Sequence, residues 1–577
     1  MKAFFTRQSS SFTYLNVTQF LGALNDNIFK LLIAYFCIDM LGKESSTRIL
    51  ATAGAIFVIP FLLFSSTSGM LADRFSKRNI IVVCKAFELV VMTLGVIALT
   101  MESPYGAYFI LFLMATQSAL FGPSKYGIIP ELVGSEKISQ ANGLLTMMTF
   151  LAIIIGTFLA SFLTDITGRN FVMAGTVCAL ISLAGLAASI CIGKTPASGS
   201  KKKIHPWFLL EIYRTTRLIA TRPILLISML GSAYFLFAGA FIQLNVIPFA
   251  MELLDLTDVQ GGYLFLLTAL GIGTGSFVAG KISGKSIELG LVPIAGAGMT
   301  IGCFLLDAWS DHLFLIIPLI VALGACGGMY IVPLDAYIQV ASPNKHRGQI
   351  VATANFFGFL GVLFASGILY FISEILVLPA DKGFTFLGFL TIGMVVIVTW
   401  TIYHHFTRYL GMLFAKLHFR MTVTGTEMVP LDKPSVFICH HTAWNDTLLL
   451  LGSQRTPVRF FSEHMYDHSP MIKRLYKLLR IVSIPSIEFI EDDQKKVHQI
   501  YDSLRRGVSV CMFVDTSVRG EDLERISFNL KQMLTGTPYN VLHVELHKGE
   551  KITRSSRFQQ LLQKVRVPAT IRFASAF

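Results

Sequence analysis

Twelve apolar segments, each long enough to cross a lipid bilayer, dominate this 577-residue chain. A helix needs about 20 consecutive, mainly apolar residues to span the hydrocarbon layer. The composition agrees, because 53% of the residues are hydrophobic and 14% are charged, which excludes an ordinary soluble enzyme. We therefore predict a polytopic α-helical membrane protein. The segments are centred near Ile28, Val58, Val91, Leu113, Ile154, Ile181, Phe235, Leu267, Met299, Leu323, Leu360 and Val395.

Charge alternates between the loops that join these segments. One set of loops is basic, whereas the opposite set is short and mostly acidic or neutral. Because loops rich in Lys and Arg stay in the cytoplasm, the basic set should be cytoplasmic, and an even number of crossings places both termini there. We expect a multi-pass protein of a bacterial inner membrane. The basic set contains Arg74, Lys77, Arg78, Lys201 to Lys203, Arg214, Arg217, Lys281, Lys285, Lys345 and Arg347.

The longest basic loop, residues 193–222, divides the segments six and six. Its first part is rich in Ser, Gly, Pro and Lys, as linkers are. Its second part mixes Trp207, Ile212 and Leu218 with Arg214 and Arg217, which predicts an amphipathic helix in the cytoplasmic interface.

The net charge of +13 does not indicate nucleic acid, because the basic residues lie in short loops and in the C-terminal part. This distribution fits contact with anionic lipid headgroups. The eight cysteines show no paired spacing and lie mostly in apolar segments, so we expect packing roles and no metal site. A P-loop is also missing from the sequence, which disfavours an ATP-driven pump, and we expect no bound cofactor.

The first apolar segment carries polar residues at membrane depth: Asn25, Asp26, Asn27 and Lys30. A charge there costs at least about 2.5 kcal/mol, so such residues normally face a cavity or a partner. Asp26 and Lys30 are four residues apart, so both can lie on one helix face and pair. We interpret this stripe as the lining of a substrate path. A structural ion pair between packed helices is the alternative.

The two sets of six segments show weak internal symmetry. Pro123 in the fourth segment corresponds to Pro333 in the tenth, and each lies near glycines. This pattern predicts interrupted helices near a binding site. Lys125 and Asp335 fall in the same regions, and for Lys125 interfacial anchoring is an equally good interpretation.

The stretch Gly69 to Arg78, GMLADRFSKR, resembles the loop between the second and third helices of the major facilitator superfamily. The resemblance implies a twelve-helix fold of six plus six. It also implies that an acid near a helix end and the basic residues after it stabilise one conformation through charge pairs and helix dipoles. The residues that carry this role here are Gly69, Asp73, Arg74 and Arg78.

Within that superfamily, residues 19–30 and 121–127 are similar to bacterial lysophospholipid transporters, and the resemblance covers about seven-tenths of the chain. It implies that a single-tailed phospholipid is moved to the cytoplasmic leaflet. The headgroup would then meet Asn25, Asp26, Asn27, Lys30 and Lys125.

The sequence after Thr407 is typical of a soluble domain. Residues 409–419 are amphipathic and basic, which suits the surface of the inner leaflet. A short buried strand, residues 435–439, precedes His441 and Asp446, and a helix is predicted to follow them. In a catalytic dyad, His441 would take the proton from an attacking hydroxyl and Asp446 would orient the imidazole.

This order, with a later strand at residues 508–513, resembles the glycerolipid acyltransferases that acylate lysophosphatidic acid. Residues 481–485 and 537–541 are similar to the second and fourth blocks of that family. The third block differs, since FVDTSVR replaces FPEGTR, and His440 replaces the usual Asn. The resemblance implies that Asp515, Ser517 and Arg519 hold the substrate phosphate, with an acyl carrier protein or coenzyme A thioester as the donor. An inactive or regulatory domain is the alternative.

We therefore expect a transporter in residues 1–405, with halves 1–192 and 223–405, and a cytoplasmic α/β acyltransferase-like domain in residues 406–577. The expected function is lysophospholipid uptake coupled to reacylation. The rival is an ion-coupled exporter of drugs or metabolites whose tail only docks on the membrane.

Overall fold

The computed structural model describes residues 2–42, 46–200, 207–284, 286–430, 433–440, 446–462, 480–483, 494–515, 518, 521–548 and 567–575. The chain forms two compact units, Met1–Thr401 and Ile402–Phe577. The domain bounds drawn from the sequence stay a prediction at the level of single residues.

The first unit is a helical bundle. In the described residues, twelve helices are long and apolar enough to cross a membrane, which confirms the predicted number of spans. Two further helices, α5 and α8, are too short to span. In chain order the helices are α1 (Lys2–Leu41), α2 (Ser46–Arg74), α3 (Lys77–Thr100), α4 (Pro104–Gly127), α5 (Ile129–Leu132), α6 (Ile138–Ile166), α7 (Phe171–Ile190), α8 (Phe208–Ala220), α9 (Pro223–Leu253), α10 (Asp258–Ser283), α11 (Leu291–Ala308), α12 (Leu313–Ala341), α13 (Arg347–Tyr370) and α14 (Ala380–Thr401).

The two halves of the bundle, α1 to α7 and α9 to α14, pack together at the ends that carry the basic loops. There α2 packs on α13, and α6 packs on α10. A Cβ atom on Gly143 of α6 would collide with the α10 backbone, so glycine permits this close approach. Asn142 and Gln339 exchange two amide hydrogen bonds, of 3.0 and 2.7 Å, between α6 and α12. The bundle is closed at this end, which the charge pattern predicts to be cytoplasmic.

The predicted interruption of the tenth span is wrong. Helix α12 continues through Gly328 and Pro333 to Ala341. Its glycines serve packing instead, since a Cβ atom on Gly324 or Gly328 would meet the backbone of α10. Small residues four positions apart let membrane helices approach closely. In the first half, α4 ends at Gly127, four residues after Pro123, and the short helix α5 follows.

The second unit contains a seven-stranded sheet in the order β1-β7-β6-β2-β5-β3-β4. Neighbouring strands are parallel except for β6 and β7. The strands are β1 (Phe419–Thr424), β2 (Ser435–His440), β3 (Val458–Ser462), β4 (Val482–Ser483), β5 (Ser509–Val514), β6 (Asn540–Lys548) and β7 (Val567–Ser575). The helices are α15 (Tyr403–His418), α16 (Asp446–Ser453), α17 (Gln494–Arg505) and α18 (Glu521–Met533).

Helices cover both faces of this sheet. On one face, Leu450 of α16 joins a cluster with Phe437 and Phe513. On the other face, Leu504 of α17 and Leu530 of α18 pack on the alternate residues of the same strands. Parallel strands buried on both faces are nearly continuous apolar runs, which is why β2 and β5 were predictable from sequence. The α/β architecture of this region is confirmed.

Two amphipathic helices lie near the ends of membrane spans in the sequence. Helix α8, inside the predicted linker, exposes Leu209 and Tyr213. Helix α15, which includes most of the predicted amphipathic stretch, exposes Leu413, Phe414 and Leu417. Their attachment to the inner leaflet stays a prediction.

Candidate functional site

The polar residues of α1 do not form one site. Asp26 Oδ2 accepts a hydrogen bond of 2.6 Å from the Ser118 hydroxyl of α4. The Lys30 ammonium instead lies 5.3 Å from the ring centroid of Phe57 on α2. In the described part of the chain, Asp26 and Lys30 form no direct ion pair, because each side chain contacts a different neighbouring helix. Asn27 donates to the Ala23 carbonyl of its own helix, at 2.8 Å.

A buried ion pair in α3 was missed by the sequence analysis. Lys85 Nζ lies 2.5 Å from Glu88 Oε2, and each side chain is 1% exposed. Two opposite charges three residues apart inside the third span were the available signal. Gly22 of α1 makes room for this pair, since a Cβ atom there would collide with Lys85 Nζ.

Hydrogen bonds connect this ion pair to Asp26. Glu88 accepts from Asn25 Nδ2 at 3.3 Å and from Gln117 Nε2 at 3.2 Å. The Gln117 carbonyl oxygen lies 3.1 Å from the Ser118 hydroxyl, which also contacts Asp26. The network therefore joins α1, α3 and α4 through polar side chains at membrane depth.

A cavity of about 220 Å³ lies between the two halves. In it Asp335 Oδ1 accepts a hydrogen bond of 2.9 Å from Ser232. Pockets for drug-sized ligands begin at roughly 300 Å³, so this space suits a headgroup better than a whole lipid. The predicted residues of α1 do not line it. Its walls are Tyr126, Thr146, Thr149, Phe150, Ile153, Ser232, Phe235, Leu236, Ile331, Asp335, Ile338, Gln339, Val351, Ala354 and Asn355.

Lys125 lies beside this cavity. Its ammonium is 4.7 Å from the ring centroid of Tyr126, a wall residue, and 5.8 Å from that of Phe121. It is also within electrostatic range of both Asp26 and Asp335. Lys125 is thus a cation that interacts with both acidic groups.

Asp73, in the loop signature, caps a helix of the opposite half. Its carboxylate accepts hydrogen bonds from the Gly348 and Gln349 amides at 2.6 and 3.0 Å. These amides belong to the first turn of α13, where N–H groups lack partners within the helix and an anion is favoured. Gly69 allows the contact, because a Cβ atom there would lie 2.8 Å from the Gly348 carbonyl oxygen. The two residues stabilise the closed end of the bundle.

The basic residues of the signature differ in their contacts. Arg74 is exposed and lies over the ring of Phe75. Arg78 donates to the Ile190 and Ile192 carbonyls, at 2.8 and 3.2 Å, around the end of α7. Lys77 is fully buried, forms an ion pair with Glu131 and donates to the Ser198 hydroxyl at 2.8 Å.

Replacing Asp73 by Ala should open the closed end. Hydrogen bonds to a charged group contribute about 1.5–3 kcal/mol each, so the ratio of closed to open protein should fall at least roughly tenfold. In a background without the native cysteines, Ser139→Cys, at a position buried in the closed interface, should react at least about tenfold faster with a maleimide. The matched control is Arg74→Ala at the exposed neighbour, and equal labelling rates in the two variants would contradict this role of Asp73.

The second candidate site lies at the carboxyl ends of β2 and β5. These strands are adjacent, with His440 opposite Val514. His440 Nδ1 donates to the Asp515 carbonyl oxygen at 3.2 Å, which leaves Nε2 as the acceptor nitrogen. Asp446 is fully buried at the start of α16. Ligands of open α/β sheets bind outside the carboxyl ends of the strands, so the edge is suited to catalysis.

Several predicted residues of this site lie outside the described residues: His441, Ser517 and Arg519. The second block contributes β4, whose Ser483 pairs with Ser462 at the carboxyl end of β3. The fourth block lies at the opposite edge, because Asn540 pairs with Ser435 at the start of β2.

Two histidines at the start of α15 make the second unit sensitive to acid. Burial, with Arg408 and His404 nearby, lowers the pKa of His405 to about 3. Burial and three arginines lower the pKa of His404 to about 4. Below the ordinary value of 6.5 the unfolded chain binds protons that the folded chain does not, so stability should fall as the pH drops from 6.5 towards 4.

His405→Phe should flatten this dependence. The measurement is the midpoint of thermal unfolding of the full-length protein in detergent between pH 7.5 and 5. His418→Phe, at the exposed end of the same helix, is the control. If the unfolding midpoint falls equally between pH 7.5 and 5 in both variants and in the unaltered protein, His405 is not the source of the acid sensitivity.

The chain combines a bundle of helices able to span a membrane with an α/β domain. The model of the Major Facilitator Superfamily matches residues 15–366, and the chain therefore belongs to that superfamily. The model of the Acyltransferase family matches residues 420–534. Both resemblances seen in the sequence are confirmed.

The relatives and solved structures agree with this assignment. The lysophospholipid transporter LplT of Klebsiella pneumoniae (strain 342) is 26% identical over 389 residues, which cover 66% of this chain and 94% of that protein. LplT of Serratia proteamaculans (strain 568) is 27% identical over 344 residues, which cover 58% of this chain and 82% of that protein.

Two solved transporters share the fold. The human organic anion transporter MFSD10 matches with a TM-score of 0.56 and 15% identity, covering 68% of this chain and 99% of that one. FucP in its outward conformation matches with a TM-score of 0.55 and 12% identity, covering 68% of this chain and 98% of that one.

Proposed function

We propose that this protein moves lysophospholipid to the inner leaflet of a bacterial inner membrane and that its C-terminal domain restores the second acyl chain. The similarity to lysophospholipid transporters supports the first step, and the acyltransferase domain in the same chain supports the second. In this account both termini are cytoplasmic.

One observation carries the transport proposal. Asp26 Oδ1 is buried and has no hydrogen-bond partner in the part of the chain that the structure describes. A carboxylate oxygen at membrane depth needs a donor or a cation, and the ammonium of a lysophospholipid headgroup supplies one. Lys125 would bind the phosphate of the same headgroup, because phosphate needs a cation and Lys125 is within electrostatic range of Asp26. Asn25, Asn27 and Lys30, on the same helix as Asp26, stay the other predicted headgroup contacts.

The proposed acyl transfer uses the carboxyl edge of β2 and β5. His441 would accept the proton of the free lysophospholipid hydroxyl while that oxygen attacks the thioester carbonyl. The carbon–sulfur bond then breaks, and the thiol leaves with the proton returned by His441. Asp446 would orient the imidazole, and Asp515, Ser517 and Arg519 would hold the lipid phosphate. The acyl donor would be an acyl carrier protein or coenzyme A thioester.

Purified protein in liposomes tests the transport step without acylation. Fluorescent lysophosphatidylethanolamine should become protected from an impermeant quencher as it changes leaflet. Diacyl phosphatidylethanolamine, which carries the same headgroup on two tails, is the matched control and should move no faster than in protein-free vesicles. Equal protection in vesicles with and without protein would contradict the proposal.

A further inference from the structure

The Ser118 hydroxyl lies between two acceptors. Asp26 Oδ2 is 2.6 Å away, and the Gln117 carbonyl oxygen is 3.1 Å away. A hydroxyl has one proton and can donate to one of them at a time. The shorter contact to the charged acceptor takes the proton, because charge-assisted hydrogen bonds are shorter and stronger.

The orientation of Gln117 is fixed from the other side. Its amide nitrogen donates to Glu88, whose carboxylate also accepts from Lys85 and Asn25. Turning the amide over would replace a donor by an acceptor next to this buried carboxylate. The carbonyl oxygen of Gln117 therefore faces Ser118, and the hydroxyl has a fixed neighbour on each side.

This arrangement sets the direction of the Asp26 carboxylate. One oxygen is held by Ser118, and the other, Oδ1, is left as the buried oxygen without a partner among the described residues. A carboxylate with one oxygen held in place has less rotational freedom to lose when its other oxygen binds a cation.

We propose that Ser118 is a positioning residue that aims Asp26 at the ammonium group of the cargo. The inference rests on the proposed function and deepens it. It predicts that Ser118 contributes to the binding of lysophospholipids with an amine-bearing headgroup and not to the binding of those without an amine, because only the former present a cation to Asp26.

The test compares two lysolipids in liposomes containing the full-length protein. For Ser118→Ala, the KM for lysophosphatidylethanolamine should rise about tenfold with little change in maximal rate, as expected for loss of one charge-assisted hydrogen bond. The KM for lysophosphatidylglycerol, which has no amine, should not change. Ser118→Thr keeps a hydroxyl and should restore the lower KM for lysophosphatidylethanolamine. Ser182→Ala removes a buried hydroxyl that bonds to the Ala179 carbonyl of its own helix, and should change neither KM.

Each outcome decides between positioning and packing. An equal rise of KM for both lysolipids, or an unchanged KM for lysophosphatidylethanolamine with transport intact, would overturn the role of Ser118 and leave the proposed function standing. Transport of neither lysolipid by the unaltered protein would overturn the proposed function and this inference with it.

Discussion

Asparagine in place of Asp26 is expected to abolish lysophospholipid uptake. The amide keeps the size of the side chain and still offers an oxygen to the Ser118 hydroxyl, so the packing of α1 on α4 is retained. What it removes is the negative charge. Removing one member of a buried charge pair costs about 3–5 kcal/mol, which corresponds to a loss of roughly two to four orders of magnitude in uptake.

The matched control for Asp26→Asn is Asn16→Ala. Asn16 lies in the same helix, and its amide bonds to the Phe12 carbonyl of that helix. Uptake of labelled lysophosphatidylethanolamine by spheroplasts measures both variants, with the amount of protein in the membrane as the reference. A similar loss in the two variants would show that Asp26 acts through folding, and full uptake by Asp26→Asn would remove it from the substrate path.

Replacing His441 by Ala should abolish acyl transfer and leave uptake unchanged. A general base contributes about 10²- to 10⁴-fold to a rate, so the variant should retain at most about 1% of the activity. Asp446→Asn should lose activity for a related reason, since the neutral amide cannot stabilise a charged imidazole. The measurement is the conversion of lysophospholipid to diacyl phospholipid by purified protein supplied with an acyl thioester.

His440→Asn is the control that the chain itself suggests. It introduces the residue usual in the acyltransferase family beside His441, and it removes the bond from His440 to the Asp515 carbonyl. Activity should persist in this variant. Full activity of His441→Ala would contradict the dyad. Inactivity of the unaltered protein with either acyl carrier protein or coenzyme A thioesters would mark the altered block at residues 513–519 as that of an inactive domain.

Placing both proposed steps in one chain would have a kinetic consequence. In the proposed function, the product of the transport step, lysophospholipid in the inner leaflet, is the acceptor of the acyl-transfer step. Linking two modules raises the effective concentration of one for the other without any new contact. A fused chain would therefore limit the time during which a single-tailed lipid stays in the membrane.

The sequence predicted the fold more fully than the sites. Spans follow from length and hydropathy, which are local properties, and the strands β2 and β5 follow from continuous apolar runs. The contacts of a side chain with distant parts of the chain cannot be predicted from such local properties. Asp73 caps an amide 275 residues further along the chain, and no spacing rule links the two positions.

The differences from expectation have the same origin. The spacing of Asp26 and Lys30 permits a pair, but packing places Ser118 next to one and Phe57 next to the other. The glycines of α12 are compatible with a helix break or with close packing. Their contact with the backbone of α10 shows that they serve close packing. Lys85 and Glu88 could have been noticed as opposite charges within a span, although their link to Asp26 through α4 could not.

The most direct test supplies labelled lysophosphatidylethanolamine to spheroplasts that lack their own reacylation pathway and express this protein. We predict diacyl phospholipid from the unaltered chain, no uptake with Asp26→Asn, and uptake without acylation with His441→Ala. Absence of lysophospholipid uptake by the unaltered chain would contradict the account and favour an exporter of other solutes.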